Sequence, residues 1–91
     1  SLTHGEDEKL KIYVYKSRKN LCGNRVKEVR ARLKINQADL AARLQVAGIT
    51  MERDSVSRIE IGTRFVTDYE LVVLAKVLGV SMEWLAEQEE N

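Results

Sequence analysis

Apolar residues recur at helical spacing through most of the chain. Leu71, Leu74, Ala75 and Leu78 fall at i, i+3, i+4 and i+7, and Thr67 with Glu70 three residues later forms a capping box in front of them. Gly79 is placed to end that helix, and Ser81 to cap a short one carrying Trp84 and Leu85. Further upstream, Leu40, Ala41 and Leu44 lie on one side behind Asn36, which predicts a helix from Gln37 to Leu44. Val56 and Ile59 predict another from about Arg53 to Ile61, stopped by Gly62. A less regular pattern of Val26, Val29, Ala31 and Leu33 predicts a helix capped by Asn24 and ending near Leu33. Residues 45–52 contain Gly48 and read as a connection. There is no proline, so glycines and capping residues must break the helices.

The first twenty residues have a different pattern. Leu10 to Tyr15 is rich in aromatic and β-branched residues and reads as a short strand, which needs a partner to be stable. Residues 1–9 are polar and read as a flexible terminus, and Lys16 to Asn20 as a basic loop. The expected architecture is all-α, with five helices over residues 21–86. A flexible or strand-like arm covers residues 1–20 and an acidic tail residues 87–91.

A chain of 91 residues has room for one domain, and 44% hydrophobic with 32% charged residues suits a folded one. The longest apolar run, Leu71 to Ala75, is broken by Lys76, far short of the roughly 20 residues a membrane helix requires. No secretory signal is expected. Cys22 is the sole cysteine and His4 the sole histidine, so neither an intrachain disulfide nor a zinc cluster is available. Cys22 reads as a small, half-buried residue near a helix start in a reduced, cytoplasmic protein. No phosphate-cradling glycine loop, metal-ligand set or Ser/His/Asp arrangement is visible. We therefore expect no catalytic residues, no metal and no cofactor, and a protein that is not an enzyme.

Net charge is only +1, but it is unevenly spread: +2 over residues 1–24, +4 over 25–64 and −5 over 65–91. The positive charge sits on the middle helices, where a nucleic-acid footprint is expected. Two short helices held near a right angle can present one of them to the major groove of DNA, which is about 12 Å wide.

Four runs in order carry a resemblance: Gly23-Asn24-Arg25-Val26-Lys27-Glu28-Val29-Arg30; Asn36-Gln37-Ala38-Asp39-Leu40-Ala41; Val56-Ser57-Arg58-Ile59-Glu60-Ile61-Gly62; and Leu74-Ala75-Lys76-Val77-Leu78-Gly79-Val80-Ser81-Met82-Glu83-Trp84-Leu85. Together they resemble the Cro/phage-repressor helix-turn-helix family over about residues 21–86. The sequence departs from that pattern in one place. Fourteen residues, Ala42 to Ser55, separate Leu40-Ala41 from Val56-Ser57, a longer connection than is usual there. The register of the third helix against DNA bases therefore has to be seen in a structure.

The resemblance implies a regulator, a repressor by expectation, that binds double-stranded DNA as a homodimer on inverted-repeat half-sites. Gln37 matches a phosphate-contacting glutamine at a helix N-terminus, where orphan N–H groups favour an anion. Asn36 has two roles open to it, as cap and as phosphate ligand. Arg53, Asp54, Ser55, Ser57 and Arg58 are the expected base readers. Arg53 is the most telling, because a cation in a helix's first turn opposes the macrodipole by ~0.3–1 kcal/mol, whereas a guanine edge offers its fork two acceptors. Asp54 either accepts from cytosine or simply favours the helix start, and Ser55 and Ser57 are either contacts or plain surface. Arg25, Lys27, Lys34, Arg43, Thr63 and Arg64 are phosphate candidates, with Arg64 foremost. Arg30 and Glu60 match an interhelical ion pair, and Trp84 matches a core tryptophan. Phe65, Val66, Val80 and Met82 are the candidates for a dimer contact. The alternative is a protein-interaction module on the same scaffold, such as an antitoxin-like or adaptor protein, for which the acidic C-terminal third leaves room.

Overall fold

A computed structural model describes residues 18–87 and folds them into five helices: α1 Gly23–Leu33, α2 Gln37–Val46, α3 Arg53–Ile61, α4 Asp68–Leu78 and α5 Met82–Leu85. The fold is all-α, as the periodicity predicts. The expected strand at 10–15, with the rest of residues 1–17, lies outside the described residues, as does most of the acidic tail.

Three helix starts follow from local chemistry. Asn36 Oδ1 accepts from Asp39 N at 2.7 Å while Asp39 Oδ2 accepts from Asn36 N at 3.1 Å, a reciprocal capping box for α2. Thr67 and Glu70 do the same for α4, and Ser81 Oγ accepts from Trp84 N to start α5. Gly62 and Gly79 end α3 and α4 in the left-handed conformation.

α1 departs from the expectation. It begins one residue before Asn24, at Gly23, with Cys22 in the cap position and no side-chain cap from Cys22 itself. Asn20 supplies the acceptor instead, its Oδ1 taking Gly23 N at 2.8 Å. Of the four apolar residues expected on its inner face, Val26 and Val29 are buried, whereas Ala31 and Leu33 are exposed. Ala31 is turned about 140° from Val26 at ~100° per residue, and Leu33 falls in the last helical position.

The long connection is accommodated in two ways. α2 runs two residues past Leu44, and residues 47–52 carry apolar side chains inward: Ile49 and Met51 are both buried in the core. The Ile49 N–H donates to Leu44 O at 2.9 Å, turning the chain back under α2. As a result α3 starts at Arg53, where the apolar spacing puts it.

α3 packs on both α1 and α2, α4 underlies α1 and α2, and α5 closes on α4. Val26, Val29, Leu40, Leu44, Val56, Ile59, Leu74 and Leu85 are the largest fully buried side chains. Truncating one of the leucines to alanine costs about 2–5 kcal/mol. Arg18, Lys19 and Asn20, which the sequence assigns to the arm, dock against the end of α3, where Lys19 N donates to Gly62 O at 2.9 Å.

Candidate nucleic-acid interface

The interface begins with how α3 is held. Glu60 is buried on its inner side, where a lone carboxylate would be costly. Arg30 of α1 answers it with two bonds, Nε to Oε2 at 2.7 Å and Nη2 to Oε1 at 3.1 Å. Gln37, at the first position of α2, donates Nε2 to Oε1 at 3.0 Å. Arg30 Nη1 also donates to Ile35 O at 3.0 Å, anchoring the α1–α2 turn. The hydrogen bond to Glu60 raises the Arg30 pKa above its ordinary value, against the opposing effect of burial. One carboxylate thus locks three helices together.

Together with the burial of Val56 and Ile59, that lock fixes which side of α3 faces outward. Val56, Ile59 and Glu60 point in. At ~100° per residue, Arg53, Ser57, Ile61, Asp54 and Arg58 span an outer arc of about 140°. Arg53, Asp54, Arg58 and Ile61 are exposed and Ser57 is half-buried. Ser55 lies off this arc, beside buried Ile59, and is also half-buried. Ile61, 63% exposed, joins the arc although it was not among the expected readers; its place four residues after Ser57 is the sequence signal for it. An exposed apolar side chain on such an arc can meet a thymine methyl group.

Arg53 is not isolated. With Arg30, Asn36, Gln37 and Ala38 it lines a shallow groove of about 410 Å³ between the starts of α2 and α3. The helix start at Asn36–Gln37 brings orphan N–H groups to that groove. Gln37 gives one amide N–H to Glu60, so its second amide N–H, its carbonyl end and its backbone face remain for a ligand. The Arg58 Nε is 3.4 Å from Asp54 O, and Thr63 Oγ1 is 3.5 Å from Arg58 O.

The remaining basic candidates divide into two groups. Lys27, Lys34 and Arg43 are exposed, Lys34 being the left-handed residue that closes α1 at φ 61°. Arg25 and Arg64 are engaged. The Arg25 guanidinium lies 4.6 Å from the centre of the Trp84 ring and donates to Trp84 O. Arg64 Nη1 and Nη2 meet Glu70 Oε1 and Oε2 at 3.0 and 3.2 Å, and Nη1 also donates to Phe65 O at 3.0 Å. Burial pushes the Glu70 carboxyl up, but the bonds from Arg64 and Thr67 outweigh it and hold the group below the usual carboxylate range. Neither engagement is visible in the helical spacing: Trp84 reaches Arg25 through tertiary packing, and Glu70 meets Arg64 across the turn that leads into α4.

Of the dimer candidates, Phe65 and Met82 are exposed, while Val66 and Val80 are half-buried against the core. The Lys19 ammonium stands 5.4 Å over the Phe65 ring. Cys22 is buried, more fully than expected, and burial pushes its thiol up to about 11.

The sequence of residues 26–85, about two thirds of the chain, matches the HTH_3 helix-turn-helix family model. This chain belongs to the Cro/phage-repressor-type helix-turn-helix family. A search of curated proteins gave no match. α2, the connection 47–52 and α3 are its helix-turn-helix, and the chain is in broad terms a DNA-binding regulator. The matched stretch contains every residue of the α3 arc but stops short of Arg18–Asn20. Among the described residues no helix is long and apolar enough to cross a membrane, and no cluster of metal-ligating side chains occurs.

Proposed function

We propose that this helix-turn-helix protein is a sequence-specific repressor that inserts α3 into the major groove of double-stranded DNA. The observation that carries this reading is the Glu60 lock. It holds α3 so that Arg53 stands exposed beside the start of α2, with Ser57, Asp54 and Arg58 on the same outer arc. Arg53 reads a guanine with two hydrogen bonds, Asp54 accepts from a cytosine amino group, and Ser57 and Arg58 extend the contact. Ser55, on the rim, is the weakest of the readers.

Asn36, the backbone at Gln37, Lys27, Lys34, Arg43 and Thr63 hold phosphates and so set orientation without reading sequence. Arg25 and Arg64 come last among the phosphate ligands, since Trp84 and Glu70 already hold them. Two copies meet through Phe65 and Met82, with Val66 and Val80 behind them, and read half-sites about 34–36 Å apart on an inverted repeat. The free Cys22 thiol accords with action in the reducing cytoplasm. Function here is binding, with no chemical step.

The test is selection of duplexes from a random pool by the purified full chain, followed by a salt titration. A shared inverted repeat should emerge, and its affinity should fall steeply with salt. Equal binding to all sequences across the salt range contradicts the reading. The acidic stretch 65–91 supports a second reading, a protein-interaction module on this scaffold. A stoichiometric protein partner together with no DNA complex would favour it.

A further inference from the structure

Helices end with four carbonyls that lack intrahelical donors. In α3 these belong to Arg58, Ile59, Glu60 and Ile61. Arg58 O receives Gly62 N and Thr63 N, both at 2.9 Å, and Ile59 O receives Gly62 N at 3.1 Å. That leaves Glu60 O and Ile61 O, and both are answered from outside the helix by one side chain. Arg18 Nη2 donates to Glu60 O at 2.9 Å and Nη1 to Ile61 O at 3.2 Å, with Nη2 also 3.4 Å from Ile59 O. Asn20 stands beside it, its Nδ2 donating to Ile59 O at 3.1 Å and to Arg64 O at 2.7 Å.

The fit is tight. A Cβ added at Gly23 would collide with the Ile59 carbonyl and the Arg18 guanidinium, and one at Gly62 would lie 2.7 Å from Arg18 Cζ. The guanidinium therefore sits in a slot between two glycines, one starting α1 and one ending α3. A planar fork of donors carrying a positive charge suits the negative end of a helix dipole.

We propose that Arg18 is a positioning residue for the reading helix. It pins the C-terminal end of α3, while the Glu60 lock pins the inner face, and together they fix the tilt at which the outer arc meets DNA. Arg18 comes from the segment ahead of the family-matched residues, so this chain supplies an added fastening to its recognition helix. The consequence for DNA rests on the reading of α3 given above, whereas the fastening itself does not.

Arg18→Ala and Arg18→Lys separate the two. In the free protein, amide hydrogen exchange at Gly62 and Thr63 should quicken roughly tenfold in Arg18→Ala, the equivalent of ~1.4 kcal/mol. Amides of α4 and α5 should stay within about twofold. Lysine, with a single compact head, should restore only part of the protection. On the selected duplex, Arg18→Ala should lose roughly tenfold in the ratio of selected to scrambled affinity, with scrambled binding little changed. Unchanged exchange at the end of α3, or equal acceleration in all helices, overturns the fastening. Quickened exchange with an unchanged affinity ratio overturns the link to reading. If the wild-type chain discriminates no duplex, the proposed function fails, and the exchange pattern alone decides whether Arg18 holds α3.

Discussion

Two arginine–glutamate bridges show how differently one chemistry serves the two halves of this domain. Arg30–Glu60 joins positions 30 residues apart and ties α1 to α3, with Gln37 adding α2; Arg64–Glu70 joins positions six apart and ties a loop to the start of α4. In both, a nearly buried carboxylate takes two guanidinium bonds. The first fixes the angle between helices, which is what a reading surface requires. The second reinforces a capping box, which requires only local order. The Arg30 side chain is 16% exposed and that of Arg64 is 29% exposed, so water can replace Glu70 more readily than Glu60.

The contrast breaks most sharply at Glu60. Glu60→Ala leaves the partly buried Arg30 guanidinium without its partner and should cost about 2–3 kcal/mol by urea denaturation, less than the ~3–5 kcal/mol of a fully buried pair. A loss under ~1 kcal/mol would show that the lock is idle. Glu70→Ala should cost less, about 1–2 kcal/mol, since a cap is lost while Arg64 rehydrates. Equal losses would mean that the two bridges hold the fold to the same degree.

The pH response sharpens the second bridge. The Glu70 pKa is lowered in the fold, so its contribution to stability is complete above the unfolded value of ~4.3 and is lost as pH falls through the lower folded value. The stability gap between wild type and Glu70→Gln should therefore be widest at neutral pH and close in acid. A gap as wide at pH ~3 as at pH 7 would mean the carboxylate is not held in its charged form.

The smallest effect lies at the end of α1, where Lys34 occupies a left-handed conformation that glycine tolerates better. Lys34→Gly should raise stability by about 0.5–1 kcal/mol in thermal melts while lowering the salt slope of DNA binding by about one. A stabilised variant with an unchanged slope would remove Lys34 from the phosphate ligands.

What the sequence made legible divides along similar lines. Helices α2, α4 and α5 announce themselves through side-chain caps that act over three residues, and α3 through Val56, Ile59 and Gly62. The start of α1 is concealed because its acceptor, Asn20, lies before the apolar pattern begins. Ile49 and Met51 look like connection residues, yet they are core, because the longer connection folds its own apolar side chains inward. The outer arc of α3 follows from helical period, and Ile61 could have been found by counting four on from Ser57. The engagement of Arg25 and the Arg18 fork depend on packing that no local pattern encodes, and that of Arg64 on the turn ahead of α4.

In the proposed function the outer arc of α3 reads bases, led by Arg53. The most direct test is to select duplexes with wild type and with Arg53→Ala from the same pool. The same inverted repeat is expected, with the preference for one guanine lost in each half-site, a discrimination of about 1–3 kcal/mol. An identical preference at every position in the two selections would contradict it.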